Sequence, residues 1–473
     1  MKIVLARPPK TQGGLEKSSV QQPINLCSIA AYLNANGHNT EVWDFEVEDS
    51  GPETVRSRLE QSRPDLFGFT ALTATIKAAH EIACLVKVYN PEIPIMIGGP
   101  HASATPKQTL EEFLNFDVVV IGEGEETALD IANRLEKNQP YQGIFGSAYR
   151  EKNRVVIELA RPVIKSLDDL PYPDRSLLKL SLYKGASTPG LEGENLQSTE
   201  LFTSRGCAEK CIFCTVKGTF GLGVRFRSPD HVIGEIIECK EKFGFNHFTI
   251  EDDTFTYRKS RLKELCQKFK ELNMTWDCDT RVDQVDEETF KLMRDSGCVK
   301  VAFGIESGSP RILRLIKKRI ELDQVRNAFK AARKAGLITQ AFFIVGSHPT
   351  ETIEDIKLTK AIIREIKPDF LLVNVMVPFP GTELYDIMKE RGYINGTEDW
   401  NKFDCLHGRP AWRTDMFIGD QLIEIQKNIL LSYYLTPFYL WRIFKKMLTR
   451  EGFKYYTSAT LGFLKYLFIE DRK

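Results

Sequence analysis

The chain has 473 residues, with 64 Lys plus Arg against 64 Asp plus Glu and so no formal net charge. A chain of this length holds roughly three domains, and the charge balance excludes a chain-wide electrostatic surface for nucleic acid. The N-terminus, MKIVLARPPK, lacks the apolar core of a signal peptide. No uncharged apolar run reaches the about 18 residues of a membrane span; the nearest, 428–441, is too short and contains Pro437. The ten cysteines cluster only once, which argues against a disulfide framework and for a reducing cytoplasm.

In chain order, short apolar runs at 2–6, 40–44, 66–70, 93–98 and 117–121 predict strands. Segments at 24–36, 53–61, 75–89, 106–114 and 125–135 predict the helices between them. That alternation means a parallel sheet covered on both faces, and five strands suit a doubly wound, flavodoxin-like sheet whose ligand sits beyond the carboxyl ends of the strands. Next, AYREKNRVVIEL predicts a hairpin turning near Lys152 and Asn153, and DDLPYPDRS a Pro-rich connector. Strands are then expected at 200–204, 247–251, 275–279, 300–304, 340–345 and 370–375, with helices at 229–243, 261–272, 287–296, 322–335 and 353–366. Val325, Phe329 and Ala332 mark a core-facing helical stripe. Six βα units predict a partial (β/α)6 TIM-like barrel. From about 400 the strand signal fades into a helical, aromatic C-terminal region. The expected boundaries are 1–140, a linker with a hairpin at 141–195, a barrel domain at 196–400 and the helical region at 401–473.

Loops after the strands of a parallel barrel carry its chemistry. Here the first is followed by TSRGCAEKCIFCTV, with Cys207, Cys211 and Cys214 spaced C-x3-C-x2-C. Glu251, Asp252 and Asp253 close the second strand, Arg281 follows the third, Glu306 the fourth, Gly346 and Glu351 the fifth, and Pro378 and Pro380 the sixth. Taken singly, an acidic pair is usually a solvated loop or a helix cap. Their joint placement on one face of the barrel is the stronger signal.

Three thiolates with no fourth nearby suit three irons of a [4Fe–4S] cluster, whose usual ligand set is four cysteines. The fourth iron is then open to the amino and carboxylate groups of S-adenosylmethionine (SAM). An electron from such a cluster cleaves the sulfonium C–S bond and releases a 5′-deoxyadenosyl radical. The spacing, with aromatic Phe213 before the last cysteine, resembles the radical SAM superfamily signature over about residues 196–380. That resemblance implies that Cys207, Cys211 and Cys214 hold the cluster, with Phe213 beside the SAM. It implies that Glu251, Asp252 and Asp253 meet the SAM amino group. Arg281 and Glu306 fall where contacts to its carboxylate or ribose lie, and Gly346 where backbone passes the adenine. The segment GSHPTET is one residue longer than the family's common form, so His348 is read as a loop residue and not a base.

The order NGHNTEVWD, PDLFGFTALTAT, IPIMIGGPHAS, VVVIGEGEET resembles the cobalamin-binding domain found ahead of radical SAM barrels. The absence of G-x-G-x-x-G after the first strand argues against NAD or FAD. The resemblance implies a cobalamin site built from Thr70, Thr73, Thr75, Gly98, Gly99, His101, Gly122, Glu123 and Gly124. The D-x-H-x-x-G motif that supplies a cobalt ligand in mutases is missing. Cobalamin is therefore expected base-off, with His101 a loop residue near the nucleotide tail.

The reading that follows is a radical SAM enzyme with cobalamin that methylates an unactivated carbon of a small-molecule or lipid-like metabolite. It implies an electron donor such as flavodoxin or ferredoxin. No residue is assigned to the substrate chemistry itself. A rival enzyme reading is a cyclase, rearrangement or elimination catalyst resembling the anaerobic porphyrin-ring cyclases. A methylthiotransferase would need a second cluster, for which Cys27 and Cys84 are too few. A non-enzymatic corrinoid or redox sensor would not need the polar strand ends. Cys239, Cys266, Cys278, Cys298 and Cys405 show no cluster spacing and read as core. From 427 to 473 bases exceed acids among many aromatics, which reads as a helical lid or as a surface for an anionic or lipid-like substrate or a membrane face.

Overall fold

The structure is a computed structural model that describes residues 1–10, 20–183, 196–394, 399–404, 410, 412–448, 452–453 and 456–457. Cys405 and the chain from 458 to 473 lie outside the described residues. The chain divides into two compact units. One comprises 1–184, 203–235 and 377–408; the other comprises 185–202, 236–376 and 409–473.

The first unit is built on strands β1 (Lys2–Arg7), β2 (Asn39–Asp44), β3 (Leu66–Thr70), β4 (Ile95–Gly98), β5 (Val118–Val120), β6 (Ser147–Glu151) and β7 (Arg154–Ile157). They form one sheet in the order β2-β1-β3-β4-β5-β6-β7. The first five are parallel, and 2-1-3-4-5 is the flavodoxin-like order. Helices on both faces explain why Ile3, Val4, Leu5 and Ala6 are all buried in one unbroken apolar run. The hairpin expected within the linker instead joins this sheet, β6 pairing antiparallel with β5. It covers an apolar edge, Val118–Val120, that would otherwise lie open to pairing.

The same unit holds a two-stranded ladder of β8 (Ser204–Arg205) and β9 (Arg225–Phe226) around the cysteine loop. It also holds a buried ion cluster. Glu235, in the helix Pro229–Phe243, accepts from Arg175 at 2.7 Å and from Arg227. Arg175 and Glu235 are each 1% exposed. Burial alone would push the Glu235 pKa up, but the two guanidinium groups outweigh it and hold it below the usual range.

The second unit is a parallel sheet of β10 (Ser198–Leu201), β11 (His247–Ile250), β12 (Thr275–Thr280), β13 (Cys298–Glu306), β14 (Ile338–Val345) and β15 (Phe370–Val375), which neighbour one another in chain order. No ladder joins β15 back to β10 among the described residues, so the barrel is partial. Its outer face is aromatic: Trp276 meets Phe269 of the helix Lys259–Leu272 at 5.5 Å between ring centroids, and Phe248 meets it at 5.1 Å. By strand alternation the odd-numbered residues of β11 and β12 therefore face the barrel interior. Two helices, Gly419–Tyr434 and Pro437–Lys446, follow in the same unit. Gln426 and Tyr434 tie the first to β15 through the backbone of Val373 and Leu371.

Removing the charge of Glu235 strands two guanidinium groups in the interior. Glu235→Gln is expected to lower stability by about 3–5 kcal/mol, seen as a fall in the denaturation midpoint; an unchanged midpoint would show that the cluster contributes nothing.

Candidate active site

The cysteine loop is fixed at both ends by backbone. Gly206 has φ +87°, and a Cβ there would lie 2.4 Å from the Gly223 carbonyl oxygen, so a side chain is excluded. Gly223 N donates to the Cys207 carbonyl at 3.2 Å, and Cys214 N to that of Cys211 at 3.2 Å. Ile212 between them is buried, and its carbonyl accepts from Leu384 N at 2.9 Å. Cys207, Cys211, Phe213 and Cys214 are half-buried. The other described cysteines, Cys27, Cys84, Cys239, Cys266, Cys278 and Cys298, sit within helices or in β12 and β13. Among the described residues no three Cys, His, Asp or Glu side chains are grouped as ligands of a single metal ion. A loop that offers three thiols, each at its own position, fits three irons of a cluster that leaves one iron open.

Flanking this loop are two arginines that the sequence reading passed over. Arg205 donates to Glu123 at 2.8 Å and to Glu125 at 2.6 Å, and Arg225 donates to Glu123 at 2.9 Å. Both carboxylates are buried. Glu123, expected beside cobalamin, is thus held in ion pairs, and Ile164 N donates to its second oxygen at 3.0 Å.

The remaining expected cobalamin residues lie at the carboxyl ends of β3, β4 and β5. Gly99 has φ +95°, and a Cβ there would stand 2.7 Å from the Ala71 oxygen and 2.9 Å from Thr70 Oγ1. The loops after β3 and β4 therefore touch backbone to backbone, with Gly98 ending β4. Thr75 Oγ1 accepts from Leu72 N at 3.1 Å and so caps its own turn. Gly122 has φ +81° and donates to Ser103 Oγ at 3.0 Å, and at Gly124 a Cβ would collide with Ile29. His101, expected in a loop, lies in the short helix Pro100–Ala104, because Pro100 starts a helical turn readily. It is 1% exposed, its Nδ1 lies 3.3 Å from Thr73 Oγ1, and its ring meets Trp400 at 5.0 Å. Burial pushes its pKa down to about 4, so the imidazole is neutral at pH 7. Its Nε2 is buried and has no hydrogen-bond partner. An unsatisfied buried nitrogen among glycines that admit no Cβ is a cradle that fits a polar ligand at these strand ends.

In the second unit the barrel interior carries a row of charges. Thr249 donates to Asp277 at 3.1 Å, His247 pairs with Asp277 at 2.8 Å, and Lys300 donates to Gln340 at 3.0 Å and lies 3.7 Å from Asp277. Glu200 is in register with Thr249 and so belongs to that layer, and Glu251 and Asp279 follow two residues beyond Thr249 and Asp277. Burial, then repulsion from Asp279, Glu200 and Asp277, pushes Glu251 up to about 8, against the pull of Lys300. Asp279 reaches about 6 mainly through being enclosed by protein, although its tip is open to the concave interior. Asp253, although its side chain reaches solvent, is also raised to about 6 by the protein packed around it and by buried Asp252. On β14 and β15, Phe342 is in register with Leu372 and Ile344 with Asn374, a wall that is apolar apart from one amide.

Arg281 forms a two-pronged pair with Asp283 at 2.9 and 2.8 Å and donates to the Lys318 carbonyl at 3.1 Å. Lys318 Nζ in turn donates to Glu306 at 2.8 Å. The two expected SAM contacts are thus linked through Lys318, which no sequence motif marks. Glu306 has φ +71° and ends β13 after a register shift. Gly304 leaves the room for this pair, since a Cβ there would lie 2.5 Å from Glu306 Oε1. Gly346 has φ +74°, and its N–H donates to fully buried Glu351. Burial raises Glu351 to about 7 against the Gly346 and Ser347 hydrogen bonds. His348 Nδ1 lies 2.9 Å from Thr350 Oγ1, a local turn contact that agrees with its reading as a loop residue. The signal that could have found Asp277 and Asp279 is the alternation in TWDCDTR, which puts both on one face with Arg281.

Residues 17–132 match the B12 binding domain family, and residues 201–362 match the radical SAM superfamily. An uncharacterized methyltransferase of Pyrococcus horikoshii is 31% identical over 92% of this chain and 93% of its own length. The anaerobic magnesium-protoporphyrin IX monomethyl ester cyclase of Rubrivivax gelatinosus is 25% identical over 98% of this chain and 82% of its own. Among solved structures, the cobalamin-dependent S-adenosylmethionine radical enzyme OxsB shares the fold, with a TM-score of 0.75 at 18% identity over 98% of this chain and 72% of that one. By its cysteine loop, its two sheets and these matches, the chain belongs to the radical SAM enzymes that carry a B12-binding domain.

Proposed function

We propose that the protein methylates an unactivated carbon of a small-molecule or lipid-like metabolite. The observation that carries this reading is a three-thiol loop held in one compact unit with a B12-binding sheet. With its cofactors bound, the cluster would supply a radical from SAM able to take hydrogen from carbon, and cobalamin would supply the methyl group. Cys207, Cys211 and Cys214 would hold the cluster, with Phe213 beside it. Thr70, Thr73, Gly98, Gly99, His101, Gly122 and Gly124 would border the corrinoid, base-off. Glu251, Asp252 and Asp253 would meet the SAM amino group. Arg281 and Glu306, linked by Lys318, would set its carboxylate and ribose, and Gly346 would pass the adenine. The interior wall of Glu200, Glu251 and Asp279 supports binding of a positively charged ligand, because a cation relieves their mutual repulsion. The largely apolar wall of β14 and β15 suits a hydrocarbon portion of the substrate. A flavodoxin or ferredoxin would supply the electrons.

The second reading, cyclisation, is favoured by the similarity to the Rubrivivax cyclase. SAM labelled in its methyl group separates the two. Methylation yields labelled product with S-adenosylhomocysteine and 5′-deoxyadenosine in equal amounts, because one SAM supplies the methyl and another the radical. Deoxyadenosine formed alone, with no label in product, would replace the methylation reading with the cyclase one.

Anaerobically reconstituted protein should hold about four irons. Alanine at Cys207, Cys211 or Cys214 should abolish both the iron and SAM cleavage, whereas Cys266→Ala should retain them. Cleavage at the normal rate by any of the three loop variants would remove the cluster assignment.

SAM binding should also release protons near neutral pH. The cationic ligand favours ionised Glu251, whose pKa of about 8 must fall on binding. Affinity should therefore rise as pH increases towards 8 and level off above it. Glu251→Gln should flatten that profile. Calorimetry in buffers of different ionisation enthalpy reads the proton count; no proton release would mean that Glu251 does not face the ligand's charge.

A further inference from the structure

The helix Pro437–Lys446 is amphipathic in the reverse of the usual sense. Its inward face is polar. Tyr439 and Arg442 donate to the backbone carbonyls of Asp369 and Pro368 at 3.4 and 3.3 Å, and Lys446 lies over Phe370. Its outward face is apolar. Phe438, Trp441, Phe444 and, just beyond the helix, Leu448 are 47%, 58%, 55% and 72% exposed. They recur at the spacing of a single helical stripe. Trp441 and Phe444 stack on each other at 5.7 Å, and Lys445 lies over the Trp441 ring. A soluble helix normally turns such a stripe to the core, so an exposed one marks a docking face.

We propose that this stripe docks the protein on the surface of an anionic lipid bilayer. The charge is complementary: Lys445 lies over the Trp441 ring and Lys367 over the Phe438 ring, so the stripe itself carries bases, and no Asp or Glu occurs from Ile425 to Arg450. Tryptophan and phenylalanine rings flanked by lysines are the composition of a helix lying in the interface, where lysine stems run along apolar surface and place their charge among the headgroups. The helix is ten residues long, and no helix among the described residues is long and apolar enough to cross a membrane, so it lies on the bilayer. The lysines against the Trp441 and Phe438 rings favour an anionic lipid surface over an apolar protein groove, where such charges would be buried.

The test is sedimentation of the full-length protein with vesicles of phosphatidylcholine alone or mixed with phosphatidylglycerol, at low and high salt. Binding is expected to the mixed vesicles, to weaken with salt, and to shift tryptophan emission to the blue. Trp441→Glu combined with Phe444→Glu should reduce binding by about tenfold or more with no fall in the denaturation midpoint, since both positions are exposed. Three outcomes overturn the proposal. The first is failure of the wild-type protein to sediment with mixed vesicles. The double variant could lose self-association by light scattering but not vesicle binding, which would make a second copy the occupant. It could instead lose stability with vesicle binding unchanged, which would place the chain's own residues on this face.

Discussion

The ion pairs of Arg205 and Arg225 with Glu123 and Glu125 are the constraint on which the first unit depends. Both carboxylates are buried, and burying an unpaired carboxylate costs several kcal/mol. Each arginine lies in one strand of the ladder that brackets the cysteine loop, and each glutamate lies at the carboxyl end of β5, where the next helix begins. Removing either half would leave buried charges of the other unpaired, so the ladder around the thiols is tied to the B12-binding sheet. Arg205 shows how strongly its neighbours act: burial would lower its pKa, and the two carboxylates raise it. Ser28 adds a hydrogen bond to Glu125 at 3.3 Å, so the helix Ile24–Ala35 joins the same network.

The barrel interior follows the opposite rule. There the repulsion among Glu251, Asp279, Glu200 and Asp277 outweighs the pull of Lys300 on Glu251. Glu251 pays for this arrangement with a raised pKa. An unfolded glutamate ionises near 4.5 and this one near 8, so the contribution of Glu251 to stability is full below the lower value and is lost as pH rises to the higher. A fold that keeps such a cost in a concave interior holds it where a ligand can remove it. The Glu306–Lys318 pair differs, being complete in itself. It fixes the end of β13 in a left-handed conformation that a non-glycine residue adopts only when its surroundings hold it there.

Periodicity made most of the fold legible. The strand at 370–375 and the helices at 229–243 and 353–366 have the bounds expected from sequence. These are segments whose apolar spacing and capping agree: Thr352 and Asp355 form a reciprocal cap at one of those helices. The short helices Pro310–Leu315 and Glu383–Glu390 were missed because fewer than three turns show too little periodicity. Strand β13 runs past its expected end because its register shift admits an extra residue. In the candidate site the cysteine spacing was legible because its chemistry is local. Lys318, Arg205 and Arg225 were not, since each acquires meaning only from a carboxylate brought to it by the fold, between 12 and 102 residues away.

Trp400 carries that reasoning furthest. It lies far along the chain from the B12-binding sheet, yet its Nε1 donates to Glu112 at 2.8 Å and its ring closes over His101. Lys77 pairs with the adjacent Asp399. The first unit is therefore assembled from three separated pieces of chain. The piece 1–184, with its sheet, supplies the strand ends, the segment 203–235 supplies the thiols and the arginines, and the segment 377–408 supplies the indole. A fragment ending near residue 140 would leave Glu123 and Glu125 without their arginines and uncover the His101 ring. The depression of the His101 pKa depends on such cover, because burial alone causes it. Its buried, unpaired Nε2 is thus a property of all three pieces together.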